Sequence, residues 1–119
     1  MSDEVFWHVE LAIKPGKLDD LIVLTDEMVA ATRAEPGTLA YYRFISEDGG
    51  LLHIYERYTN SAAALSHLTD FVAKFGERYT ALVERRRFVF FGVPSDELHR
   101  FLDQLGAIYV RPIAGFTRS

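Results

Sequence analysis

The stretch LLHIYERYTNSAAALSHLTDF, Leu51–Phe71, decides the fold. Its first eight residues alternate with a period of two. Leu52, Ile54, Glu56 and Tyr58 share one side, and Leu51, His53, Tyr55 and Arg57 share the other, as in a strand. Neither side is plainly polar, so both faces of the strand are expected to be covered. Asn60 or Ser61 then offers a side-chain oxygen to the open N–H groups of a helix start. SAAALSHL forms the first turns of that helix. Thr69 and Asp70 can also cap, so a second segment, FVAKFGERYTALV, is expected to begin there and run to about Val83. Gly76 lies inside it and weakens the expectation of one unbroken helix.

Upstream, SEDGG joins this strand to another, LAYYRFI, and its DGG core is a hairpin signal. Before that hairpin, Lys17 to about Glu35 reads as an amphipathic helix with a stripe of Leu18, Leu21, Ile22, Thr25, Met28, Val29 and Thr32. Pro36 and Gly37 end it. VFWHVELAI, Val5 to Ile13, is the first strand, with Val5, Trp7, Val9, Leu11 and Ile13 on one side, and KPGK turns the chain after it. Downstream, RRRFVFFGV is a fourth strand, stopped by Pro94. Ser95 caps a short helix, DELHRFLDQL, with Asp96 and Glu97 at its positive end. Gly106 releases the chain into AIYVRPIAGF, which Pro112 confines to an edge or bulge.

The first six elements follow the split βαβ, or ferredoxin-like, order of an α+β fold with an antiparallel sheet. With 119 residues the chain suits a single domain, 1–119. Residues 95–119 form a helix-strand extension whose apolar side chains predict packing on the domain or its partner. Helices cover one sheet face in this order. The other face is aromatic, so a second subunit is expected to cover it.

Composition narrows the chemistry. There is no cysteine, which removes disulfides, thiolate nucleophiles and cysteine-held metals. A net charge of −4 argues against nucleic acid. RRRFVFFG looks superficially like a base-stacking strand, but it lacks the expected glycines and falls on the fourth strand rather than the third. The start MSDEVFW lacks the basic, apolar pattern of a signal peptide, and no run approaches a membrane span. A soluble cytoplasmic protein is therefore expected. No nucleotide-binding glycine motif and no GxSxG elbow occur. His8, His53, His67 and His99 are too far apart for a local HExxH site, so no metal is expected.

Glu56 and His67 remain. A carboxylate between Ile54 and Tyr58 needs a partner or a wet cavity. If the following helix crosses the sheet, His67 looks back over that strand, and the pair could move a proton. From spacing alone, a capping or ion-pair role for each, without catalysis, is the favoured reading.

AIKPGKLDDL, EPGTLAYYRF and IYERYTNSAAALSHLTDF together resemble the antibiotic biosynthesis monooxygenase domains of the dimeric α/β-barrel superfamily. The resemblance covers about residues 5 to 92, and the tail is longer than usual. It implies a homodimer formed through the sheet face, with a cavity in each subunit between sheet and helices. The implied catalytic residues are His67 as base, Glu56 orienting it through a hydrogen bond, and Tyr58 steadying a substrate oxygen. The implied substrate wall is Val9, Ile54 and Phe71, with Trp7 and Phe75 beside it. It also implies no cofactor: a small aromatic, quinol or polyketide-like substrate, once deprotonated, reacts with dioxygen itself. Haem-degrading relatives carry Asn and Trp where this chain has Val9 and Tyr58, which speaks against haem chemistry. A non-catalytic small-molecule-binding or structural dimer and a cofactor-free isomerase or lyase are the alternatives.

Overall fold

The first strand, β1 (Val5–Ile13), becomes the middle of the sheet because both of its edges find antiparallel partners. The computed structural model describes residues 3–118. After β1 the chain runs through α1 (Leu18–Arg33), the hairpin of β2 (Thr38–Ile45) and β3 (Leu51–Tyr58), α2 (Ser61–Thr80) and β4 (Val83–Phe91). It closes with α3 (Asp96–Asp103) and β5 (Ile108–Val110). The strand order is β2-β3-β1-β4-β5. Both long crossovers therefore skip a strand, which is the ferredoxin-like arrangement expected from the sequence. β5 runs parallel to β4, so the sheet is mixed rather than wholly antiparallel. The helix-strand extension adds one βαβ unit at the sheet's edge.

Alternation decides what reaches the helices. Val5, Trp7, Val9 and Leu11 of β1 are buried, as are Leu52, Ile54, Glu56 and Tyr58 of β3. They face the core beneath α1 and α2. At the hairpin tip, Asp48 Oδ1 accepts from Ser46 Oγ at 2.7 Å and from the Gly50 N–H at 2.9 Å. Gly49 takes the positive φ of 76° that this turn requires.

Three elements differ in detail from the sequence reading. The buried stripe of α1 is Leu21, Leu24, Met28 and Thr32, while Ile22 is half exposed. The helix is rotated toward Leu24, so the stripe drawn through Ile22 was slightly off. α2 is one helix rather than two. Asn60, not Thr69 or Asp70, supplies the cap, accepting from the Ala63 N–H at 2.9 Å. Thr69 Oγ1 instead donates to the Leu65 carbonyl one turn back, and its helix continues. Packing of a long apolar face outweighs the cost of one interior glycine. β4 begins at Val83, two residues before the arginines, because Leu82 and Val83 are core residues.

In the extension, Leu98 and Leu102 of α3 are fully buried, and the Tyr109 ring lies 4.1 Å from that of His99. Beyond β5 the packing stops. Ile113 and Phe116 are 93% and 83% exposed, so the chain itself does not bury them.

The sheet face away from the helices carries Phe6, His8, Tyr42, Phe44, His53, Tyr55 and Phe91. Tyr42 and Phe44 are each 57% exposed there. Among the described residues no helix is long and apolar enough to cross a membrane.

Candidate active site

Glu56 points toward the helices because it alternates with Tyr55 and Arg57 along β3. Its direct neighbours across the ladders are Trp7 on β1 and Tyr41 on β2. Trp7 Nε1 donates to Glu56 Oε1 at 3.1 Å, and the Tyr58 hydroxyl donates to the same oxygen at 2.6 Å. Arg43, two residues along β2 from Tyr41 and on the same face, donates from Nη2 to Oε2 at 2.7 Å. The carboxylate is 4% exposed and both its oxygens are engaged, so its burial is matched by a charge and two further donors.

His67 arrives from the other layer. At Gly37 a Cβ would meet the Ala63 side chain at 2.6 Å, so the turn after α1 rests directly on the first turns of α2. Only glycine permits that approach, and it sets Glu35 beside the next turn of α2. Glu35 Oε1 there accepts from His67 Nδ1 at 2.8 Å and from Thr38 Oγ1 at the same distance. A carboxylate can only accept, so this bond places the proton of a neutral His67 on Nδ1 and leaves Nε2 bare. Nε2 lies 3.7 Å from Glu56 Oε1, beyond hydrogen-bonding range. The carboxylate that orients His67 is thus Glu35, not Glu56 as the sequence suggested. Glu56 is already occupied by its own three donors.

Aromatic rings enclose the imidazole. Tyr41 meets it edge-on at 5.4 Å, Tyr58 is 5.3 Å away and Phe71 stacks at 6.2 Å. Phe71 also touches Phe75 and Tyr79. Burial, then the nearby Glu56 charge and the hydrogen bond to it, push the Tyr58 phenol far above its usual range and keep it neutral. Burial likewise raises Tyr79, and it lifts Tyr41 to about 12. Burial opposes the charge on Arg43, but Glu56 and the two tyrosines more than offset it and the guanidinium stays charged.

Of the residues singled out in the sequence, His67, Phe71 and Phe75 reach a cleft between α1 and α2, together with Thr32, Glu35 and Lys74. Tyr58 and Trp7 lie beneath it, fully buried, with their polar atoms committed to Glu56. Val9 and Ile54 pair across β1 and β3 as core residues. The open chamber expected beneath the helices is not there: the cleft holds about 10 Å³, room for a single water. A wider groove of about 400 Å³ runs between the end of α1 and β2, past Val29, Thr32, Arg33, Leu39, Tyr41 and Tyr42. That volume is of ligand size. Thr32 borders both spaces, and Tyr41 stands between the groove and His67.

Glu35, Tyr41, Arg43 and Tyr79 were missed in the sequence. Applying the period of two to LAYYRFI, as it was applied to the next strand, puts Tyr41 and Arg43 on the face of Glu56 and would have found the ion pair. Glu35 carried no signal, because its role depends on how closely Gly37 approaches Ala63. Among the described residues no three His, Asp or Glu side chains are grouped to hold a metal.

Comparison with known proteins places this geometry. The sequence pattern of the antibiotic biosynthesis monooxygenase family matches residues 5–74. Rv0793 of Mycobacterium tuberculosis is 35% identical over 72 residues, which are 56% of this chain and 71% of that protein. Among solved structures, MupZ from Pseudomonas fluorescens superposes with a TM-score of 0.85 at 21% identity, over 99% of this chain and 91% of its own. That match includes the C-terminal extension. SnoaB from Streptomyces nogalater, a cofactor-independent oxygenase, gives a TM-score of 0.67 at 15% identity, over 79% of this chain and 96% of its own. These two likenesses concern the fold, whereas the sequence match spans more than half of the chain and includes His67 and Glu56. The chain belongs to the antibiotic biosynthesis monooxygenase family.

Proposed function

We propose that the protein is a cofactor-independent monooxygenase that oxidises a small hydroxylated aromatic, quinol or polyketide-like substrate with dioxygen. One observation carries the reading. His67 is fixed through Nδ1 by Glu35, has its other nitrogen directed at the buried Glu56, and sits beside the aromatic cleft of Phe71 and Phe75. Family membership and the likeness to SnoaB, a cofactor-independent oxygenase, support the oxygenase chemistry.

In this reading the substrate hydroxyl gives its proton to His67 Nε2. The imidazolium then lies between two carboxylates, Glu35 at 2.8 Å and Glu56 at 3.7 Å. The deprotonated ring is electron-rich enough to reduce dioxygen, so the protein supplies a base, an apolar wall and exclusion of bulk water. For an anthrone-like substrate the balance is a ring CH₂ plus one O₂ giving a ring C=O and one H₂O. The single-water cleft must widen for this. Tyr41, which stands between His67 and the groove, would have to turn aside to join the two spaces. A second copy covering the aromatic sheet face completes the proposed assembly.

The test is oxygen uptake with a panel of quinols and anthrones in metal-free buffer. His67→Ala should lower turnover by at least about 100-fold, the usual worth of a positioned base. Unchanged turnover in that variant removes the base role. Binding without oxygen uptake would instead mark a non-catalytic binding protein. Proton transfer by a histidine held as His67 is by Glu35 would need no oxygen, which supports one second reading, a cofactor-free isomerase or lyase. Substrate rearrangement in the absence of oxygen would establish it.

A further inference from the structure

The helix-side interior contains a group of polar atoms that the mechanism above does not use. The Arg43 side chain is nine-tenths buried, yet among the described residues only its Nη2 has a hydrogen-bond partner. Its Nε and Nη1 have none among the described residues, and neither do the hydroxyls of Tyr41 and Tyr79. Thr32 stands near the Tyr41 hydroxyl without making a hydrogen bond of ordinary geometry. These four atoms belong to three neighbouring side chains. The Arg43 guanidinium lies over the Tyr41 ring at 3.5 Å, and its charge acts on both phenols. Tyr79 in turn meets Phe71, the ring stacked on His67.

What unites the group is its polarity. The two arginine nitrogens can only donate, and each phenol, held neutral, has a proton to donate. Leaving buried donors unused is costly, about 1–3 kcal/mol for each group. Such a set of donors around a fixed positive charge matches one kind of ligand: an oxygen atom bearing negative charge. The arrangement is separate from the Glu56 carboxylate, which occupies Nη2 and leaves the rest of the fork free.

We propose that Arg43, Tyr41 and Tyr79 form an oxyanion site, closed in this structure and bordered by the groove that Tyr41 lines, that takes the deprotonated oxygen of a phenolic or enolic substrate once Tyr41 turns aside, so that the protein selects substrates able to bind as anions. The proposal deepens the function given above and rests on its site, though not on its oxygen step. The proton lost by the substrate goes to His67, and the oxyanion it leaves behind is met by the unused donors. The imidazolium and the oxyanion balance each other, so the buried region gains no net charge. A neutral analogue with a methoxy group in place of the hydroxyl leaves the donors unsatisfied and is rejected.

The probe is 4-nitrophenol, a small ring whose phenolate absorbs in the visible while its phenol does not. Bound to the wild-type protein, its ionisation should shift about tenfold toward the phenolate relative to free dye, as expected beside a buried opposite charge. 4-Nitroanisole should bind more weakly. In the double variant Tyr41→Phe and Tyr79→Phe the shift should largely vanish, while thermal stability holds, since only unpaired hydroxyls are removed. Arg43→Lys, which retains a charge for Glu56, should reduce the shift and keep the fold. His67→Ala should retain the shift while losing oxygen uptake. The proposal is overturned if the bound dye titrates like the free dye or does not bind. It is also overturned if the tyrosine double variant keeps the full shift, or if the shift disappears with His67 alone. Failure of the wild type to consume oxygen, with the dye shift intact, would instead sink the monooxygenase reading and leave the oxyanion pocket standing.

Discussion

The two faces of the sheet are made by the same strands and are opposite in character. On the helix side, Trp7, Tyr58 and Arg43 converge on Glu56 in a closed interior, with each bond at 3.1 Å or less. On the open side the rings of Phe6 and Phe91 stack at 4.9 Å and those of Tyr42 and Phe44 at 5.9 Å. The polar residues between them include the His8–His53 pair, joined at 2.9 Å. Polar groups on the first face are sealed beside charges they cannot escape. Those on the second sit in a shallow, apolar surface that water or another molecule can reach. Charge is therefore structural on one side and adjustable on the other, and substitutions at matched positions should tell the two apart.

The largest contrast is expected between two glutamates. Glu56→Ala leaves Arg43 buried without its counter-charge and should lower unfolding free energy by about 3–5 kcal/mol. Glu10→Ala, on the open face of the neighbouring strand, should change it by no more than about 0.5 kcal/mol, as surface substitutions usually do. Urea unfolding of both variants measures this directly. Similar losses would mean that the two faces do not differ in the way their hydrogen bonds suggest.

A smaller effect separates folding from association. Phe44→Asp puts a charge on the open face, where the wild-type ring is 57% exposed, and should leave the isolated chain folded. If a second copy covers this face, as proposed, the substitution should weaken pairing by about 2 kcal/mol or more, the loss of a central aromatic anchor. Sedimentation velocity over a dilution series should show the variant as monomer where the wild type is dimer. A variant that stays paired at every dilution would move the interface elsewhere, with the exposed Ile113 and Phe116 the next surface to test.

This division was partly legible in the sequence. Alternation along β1 separated Trp7 and Val9 from His8, and alternation along β3 separated Ile54, Glu56 and Tyr58 from His53 and Tyr55. The helix-strand order gave the topology, because a ferredoxin-like sheet follows from which elements cross and which form hairpins. Periodicity does not report where two layers touch, and the site depends on that. Gly37 against Ala63 brings Glu35 to His67, a contact between residues 32 positions apart that no local pattern encodes. The filled cleft was invisible for the same reason: how deeply Phe71 and Phe75 seat depends on the helix rotation, and the α1 stripe drawn from the sequence was slightly misrotated. Asn60 was readable as a cap, since its chemistry is local, while Thr69 looked like one and is not.

The smallest effect concerns acid. His8 titrates below its ordinary value of 6.5, first because it is partly buried and then because His53 of β3 faces it. Arg87 of β4 pushes it further down, and Glu10 of its own strand opposes the shift. Across the ladders it meets Tyr55 and Val89. The unfolded chain therefore takes up this proton before the folded one does. Stability is at its full value above the ordinary histidine range and declines as pH falls through the lowered value of the folded state. His8→Gln keeps a polar side chain against His53 and removes the difference. Melting temperatures followed between about pH 8 and 5, the range in which histidine titrates, should show a shallower acid-side fall in His8→Gln than in the wild type. A second subunit over this face would bury the pair further and steepen the wild-type fall, so the difference between the two proteins should be greater at concentrations that favour the dimer. Equal slopes in the two proteins would refute the lowered His8 value, and a difference that is independent of concentration would place this histidine pair outside any subunit contact.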